Sequence, residues 1–538
     1  VANRNHSLLR RFALATWTLA ALSLLASPVP DAEAKRPALP ERQAATTAIS
    51  PGNIIKLSAG QDFQDALNTA SPGDVILLTA GATFSGPFTL PAKPGTDETT
   101  SRWITIRSSA SPPMLPEAGQ RVSPAHAGAM ATLTSSRGAI ISTQPGARFY
   151  RFIGIKFTPA SSSDGVWLKE LVRLDNHTLS SPWRNTVPQA RHFIFERCYF
   201  HGDARVGTRR GVVLNAGSTA ILDSHFSDFK IRGEDSQAIV GWNGTGPYLI
   251  RNNYLEAAGE NIMFGGGDPS VENLVPSDIT ITGNHLTKPL SWRSSDRWTI
   301  KNLLELKNAR RVLIQGNLLE YNWPQAQNGF SVLFTVRNQD GSAPWSTVED
   351  ITFSHNIIRH VASGINILGH DDHHPSQQTR RILIHNNVFY DIGGDWGEGR
   401  LLQLLEGAAD ISFTHNTALV SGNVLTAEGR PNPDLIFTRN IVSHNAYGIV
   451  GRDKSPGSAS LAFYFPNARI NRNIFIGGSA RFYPGDNYFP KTITRVGFAD
   501  PKSHDYRLAE TGVPDAGASI AELCGFISNA DKPVFCEQ

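Results

Sequence analysis

At 538 residues, with 40% apolar and 18% charged side chains, the chain has a globular composition that excludes a disordered or low-complexity protein. A formal net charge of +3 is too near balance to supply a nucleic-acid-binding stripe, so no nucleic-acid partner is expected. Three cysteines can build neither a disulfide framework nor a zinc cluster.

Residues 1–34 read as a secretory signal. Arg4, Arg10 and Arg11 give a basic start, the run FALATWTLAALSLLA (12–26) is apolar, and Ala32-Glu33-Ala34 sets small residues around a cut after Ala34. The run is short for a membrane span, and no other apolar run reaches spanning length. A secreted or periplasmic protein is expected, without a membrane span once the signal is removed. Residues 35–57 read as a linker. In GQDFQDALNTASPGDVILLTAGATFSGPF (60–88) a short amphipathic helix precedes Pro72-Gly73 and the first strands, placed to cover the open edge of a stacked sheet.

From there a phrase repeats: FERCYF, LDSHF, IRNNYL, ITGNHL, IQGNLL, FSHNII, IHNNVF, FTHNTA, FTRNIV and INRNIF. It places Cys198, Ser224, Asn253, Asn284, Asn317, Asn356, Asn387, Asn416, Asn440 and Asn473 in one slot, at intervals of 24 to 39 residues. The alternating β-branched pattern and the lack of a sustained 3.6 period exclude a helix pair per repeat. Short strands at this interval predict an all-β fold, a single-stranded right-handed parallel β-helix of about ten coils over residues 58–480, with a short N-terminal capping helix. The recurring Asn suits a buried bend, where its amide bonds to the Asn of the neighbouring coil and it tolerates left-handed geometry. These asparagines are structural. Residues 481–538 read as a C-terminal capping tail in which Cys524 and Cys536 can pair, while Cys198 lies in a strand and is packed.

Alternation in Leu304-Glu305-Leu306-Lys307 turns the leucines inward and Glu305 and Lys307 outward; the same logic turns Thr335 and Arg337 outward one coil later. Lys307 lies 10 residues before Asn317, and removing a nine-residue loop (339–347) puts Arg337 at the same distance before Asn356. The two cations then stack at about one inter-strand spacing, ~5 Å. Their repulsion is expected to lower the lysine's pKa and suit it to act as a base. The same face collects Glu260, Asn261 and Asp268 from GENIMFGGGDP (259–269), where three glycines point to a close approach. It also collects Asn338, Asp340 and Trp345 from the loop after Arg337, and His370 and Asp371 from GHDDHHPSQQT (369–379). Trp345 or Trp323 offers a ring for sugar stacking. His370, His373 and His374 do not follow the spacing of a closed metal site.

The opening segment and the closing VGFADPKSHDYRLAETGVPDAGAS (496–519) resemble the ends of secreted bacterial right-handed β-helix proteins of the pectate-lyase-like superfamily. Within it, KNLLELKNARRVLIQGNLLEY and NGFSVLFTVRNQ resemble the catalytic coils of family 6 polysaccharide lyases, the alginate and dermatan-type lyases. The resemblance implies Lys307 as base and Arg337 as acid in a β-elimination from a uronic acid. It also implies calcium held by acids shortly before the lysine, but those slots hold Ile300 and Asn302. Glu260, Asp268 and Glu305 are the remaining oxygen ligands for Ca2+. The function expected is a monomeric polysaccharide lyase acting on an acidic polysaccharide. Alternatives are a β-helical glycoside hydrolase using Asp371 with Asp372 or Glu305 with Asp340, a C5-epimerase, and a carbohydrate-binding β-helix without activity.

Overall fold

A computed structural model describes residues 35–94, 102–111, 113–174, 188–508 and 515–537. The signal segment, residues 1–34, lies outside the described residues. Among those described, no helix is long and apolar enough to cross a membrane.

Three parallel sheets of 14, 12 and 13 strands run side by side, each strand pairing with its counterpart in the next coil. This is a right-handed parallel β-helix, as the repeat predicts. The stack is deeper than about ten coils because the earliest coils, such as those contributing Val75–Leu78 and Ile104–Ser108, carry no Asn phrase. Inward side chains of all three sheets fuse into one apolar core, in which aromatic rings stack coil on coil, as Phe152 on Phe195 and Phe157 on Phe200. The helix Phe63–Thr69 starts at Asp62, whose carboxylate accepts from the Asp65 N–H. It sets Phe63 against Phe84 and Phe88, closing the first coil as expected.

The Asn slot forms a continuous ladder. Asn317 donates its backbone N–H and its Nδ2 to Asn356 Oδ1 (2.9 Å each) and Nδ2 also to the Ile281 carbonyl (3.0 Å), while its own Oδ1 accepts from Asn284. The pattern runs from Ser224 to Asn473 and gains one more rung at Asn487, which accepts from the Asn473 N–H. The left-handed residue is not the ladder Asn but the one before it: Asn252, Gly283, Gly316, His355 and Asn386 all have positive φ. The ladder amide sits just beyond the bend because only there does it reach both the next coil and the carbonyl of the previous one.

Residues 35–57 are not a free linker. Ile54–Leu57 is the first strand of the 14-stranded sheet, and the segment before it lies against that sheet, with the Ala38 N–H on Asp350, the Glu41 N–H and Arg42 on Asp278, and Ala44 packed with Trp103 and Phe149. Residues 481–538 divide. Tyr483 and Phe489 pack on the end of the core, whereas Tyr506, Ile520, Leu523, Ile527 and Phe535 pack on Leu318, Ile357, Val388 and Tyr390, outward residues just past the ladder. Cys524 and Cys536 form a disulfide in this returning segment, Asp531 pairs with Arg121 at 2.7 Å, and Cys198 is free and buried.

Candidate active site

The 12-stranded sheet carries the site on four successive strands: β1 (Glu260–Phe264), β2 (Leu304–Leu306), β3 (Phe330–Thr335) and β4 (Ser363–Leu368). On β2 the alternation holds, with Leu304 and Leu306 in the core and Glu305 and Lys307 on the outer face. Lys307 and Arg337 are on adjacent coils, and the Arg337 N–H donates to the Lys307 carbonyl at 2.9 Å. Their register differs from the count. Leu306 lies opposite Phe334 on the paired strands, and the bond from the Arg337 N–H to the Lys307 carbonyl sets Arg337 one step past Lys307 instead of level with it. Both side chains open into a cleft of about 400 Å³ whose walls include Asn302, Glu305, Thr335, Asn366 and residues 326–328. The close approach signalled by the glycines is real: a Cβ on Gly265, at φ +101°, would come within 2.7 Å of the Lys307 Cβ.

Glu305 is the nearest charge to Lys307, with Oε1 3.6 Å from Nζ. Its carboxylate is only 2% exposed and accepts from Asn302 Nδ2 (3.3 Å) and Thr335 Oγ1 (3.5 Å). The expected lowering of the lysine's pKa is therefore reversed. Glu305 holds Lys307 above its ordinary value against burial, with Glu260 and Asp235 adding to the effect and Arg337 opposing it weakly. The guanidinium has less influence because its charge is already matched. Arg337 Nη1 donates to Asp371 Oδ1 at 2.7 Å and also to Asp372. Burial would raise Asp371, but the N–H groups of His373 and Asn338, with Arg337, outweigh it and hold the carboxyl below the usual range; Arg337 does the same for Asp372. Glu260 is fully buried, accepts from Gln237 Nε2 at 2.8 Å, and is pushed up by burial and by the Glu305 charge.

The remaining predicted residues separate. Asn338 holds its loop, giving Nδ2 to the Pro375 carbonyl and accepting the Ala343 N–H. Asp268 accepts the N–H groups of Asp340 and Ser342 and the Ser342 hydroxyl, fixing that loop to the previous coil. Trp345 donates to the Leu274 carbonyl, and His370 Nδ1 bonds the Glu406 carbonyl at 2.9 Å. Trp323 is buried with Trp292 and Trp298. Glu260, Asp268 and Glu305 do not converge as calcium ligands: Asp268 is committed to the loop and Glu260 is sealed beside Gln237. Among the described residues no three His, Cys, Asp or Glu side chains meet where they could hold a metal ion. Alternation already turns Thr335 outward, but sequence reasoning missed Asn302 and Asn366 as cleft residues; the signal for Asn366 was only the outward alternation of its strand.

Stacked coils of three parallel sheets and an Asn-laddered bend define a parallel β-helix, with a polar cleft on one sheet. No family profile and no curated protein matches the sequence. Among solved structures, the chain is similar to a mannuronic acid specific polysaccharide family 6 lyase enzyme from human gut microbiota, at 12% identity and a TM-score of 0.52, over 82% of this chain and 93% of that one. It is also similar to the PL6 family alginate lyase AlyGC, at 14% identity and a TM-score of 0.52, over 87% of this chain and 58% of that one. At these identities the likeness is one of fold.

Proposed function

We propose that the chain is a polysaccharide lyase that cleaves a uronic-acid-containing polysaccharide by β-elimination in the Lys307–Arg337 cleft. The observation that carries this reading is the placement of two cations on adjacent coils of one cleft, each paired with a carboxylate that an incoming uronate can rival. The fold shared with two alginate or mannuronate lyases agrees with it. The C5–H bond breaks and its proton goes to Nζ of neutral Lys307. The electron pair forms the C4–C5 double bond, the C4–O bond breaks, and Arg337 donates hydrogen bonds to the oxygen that departs, which takes its proton from water. A guanidinium keeps its charge throughout, so Arg337 serves as an electrostatic partner more readily than as a proton donor.

Hydrolysis is less well supported. It needs a carboxylic acid kept protonated beside a second carboxylate. Asp371 is held ionised by the N–H groups of His373 and Asn338 together with Arg337, Asp372 by Arg337, and Asp340 stands exposed on its loop whereas Glu305 is buried. The disulfide supports export to an oxidising compartment. A panel of uronate polysaccharides tests the reading, scored for the ultraviolet absorbance of the unsaturated product and for new reducing ends, with and without a chelator. Absorbance rising in step with reducing ends is expected. Reducing ends without absorbance identify a hydrolase, and binding without either identifies a carbohydrate-binding protein.

A further inference from the structure

Behind the cleft lies a second lysine that this reaction does not use. Lys288, just past the strand His285–Thr287, is 0% exposed. Its Nζ points into a ring of oxygens: the carbonyls of Ala257 (2.8 Å), Ala258 (3.0 Å), Gly259 (2.9 Å) and Asn302 (2.9 Å), and Asn261 Oδ1 (3.4 Å). An ammonium has three N–H groups, fewer than the oxygens around it, so the arrangement is a coordination shell of hard oxygens like one that suits a small cation. Burial pushes the Lys288 amine down and the Glu260 charge opposes it, and the oxygen shell favours the ammonium further because a neutral amine would turn its lone pair on one of these oxygens. The shell joins the two coils of the site. Three carbonyls belong to the bend leading into Glu260, and the fourth belongs to Asn302, whose amide donates to Glu305 at 3.3 Å.

We propose that Lys288 is a positioning residue that supplies a fixed internal cation behind the site, doing for the Glu260 and Asn302 backbone what a bound divalent ion would otherwise do. Through Asn302 it sets Glu305, and through Glu305 it sets Lys307. A positive charge at this place is then supplied by the chain itself, which accords with the separate commitments of Asp268 to its loop and of Glu260 to Gln237.

The test uses Lys288→Ala, which leaves a cavity lined by oxygens, and Lys288→Met, which fills it without charge. Its activity arm rests on the lyase reading; its stability arm, the thermal midpoint, does not. For Lys288→Ala, kcat on a uronate polymer is expected to fall roughly tenfold to hundredfold, as when groups behind a metal site are removed. Ammonium or methylammonium chloride should restore both kcat and the midpoint, and tetramethylammonium, too large for the cavity, should restore neither. Lys288→Met should be rescued by none of them. If Lys288→Ala does not fold alone, its refolding yield with and without ammonium decides in the same way. Wild-type kcat in Lys288→Ala, a loss that ammonium cannot restore, or loss of wild-type activity on chelation overturns the proposal. If wild-type protein cleaves no uronate polymer, the lyase reading fails, and ammonium dependence of the midpoint alone decides the role of Lys288.

Discussion

The Asn ladder and the Lys307 cleft are both buried polar systems built on the same coils, but they spend their hydrogen-bonding capacity differently. Along the ladder the amides are bonded to neighbouring coils: Asn356 gives its N–H and Nδ2 to Asn387, gives Nδ2 also to the Ile314 carbonyl, and accepts from Asn317. In and behind the cleft, Glu260 Oε1, Asn302 Oδ1 and Asn366 Oδ1 are buried without a hydrogen-bond partner, and Lys307 stands 3.6 Å from Glu305, beyond a good hydrogen bond. A satisfied network stabilises a fold, whereas a buried polar atom without a partner calls for an explanation, and three such atoms lie in and behind the cleft. The ladder repeats from coil to coil between Ser224 and Asn487, whereas the Lys307–Arg337 pair belongs to two adjacent coils.

Substitutions should separate the two systems. The largest effect is expected from Lys307→Ala, lowering kcat/KM by roughly a hundredfold to ten-thousandfold, the usual value of a positioned proton-transfer group, and from Arg337→Ala, lowering it by roughly a hundredfold to a thousandfold, the usual value of an electrostatic donor. Ultraviolet product formation reads the loss, and an unchanged thermal midpoint shows the fold intact. A large fall in the midpoint would assign these side chains to the ladder's kind of work. Next is Asn356→Ala, which strips Asn317 of its acceptor and should cost about 1–3 kcal/mol in chemical denaturation, with activity per folded molecule unchanged. Smaller again is Asp371→Asn, which weakens the hold on Arg337 and leaves the half-exposed Asp372 as its charged partner. A kcat lowered about tenfold through misplacement of the guanidinium is expected, and wild-type kinetics would show that Asp372 suffices.

Much of the fold is legible in the sequence because a buried bend repeated at each coil admits few solutions. The slot from Cys198 to Asn473 names the rungs, and alternation places Leu304, Leu306 and Lys307 on their faces. Legibility fails where distance decides. The offset of Arg337 depends on how the chain leaves the sheet after Thr335, which no residue type announces. The sign of the Lys307 shift depends on Glu305 being nearer and less committed than Arg337. Lys288 is invisible as a special residue because backbone carbonyls, which any sequence supplies, form most of its shell. The last rung, Asn487, escapes because it follows Asn473 after a much shorter interval than the others.

The central claim is that Lys307, which Glu305 holds toward its charged form, takes the substrate proton on its amine once it has lost its own. A lysine whose pKa is raised carries its proton at neutral pH, so its basic form grows as pH rises and reaches dominance only above the ordinary lysine value. Removing the Glu305 charge removes the main cause of that rise and brings the basic form to lower pH. The decisive measurement is the pH–rate profile of wild type and Glu305→Gln on one uronate polymer. The account predicts a wild-type rate that climbs on the alkaline side and a Glu305→Gln limb displaced to lower pH. A wild-type rate that peaks in acid, or a limb that Glu305→Gln leaves in place, would contradict it.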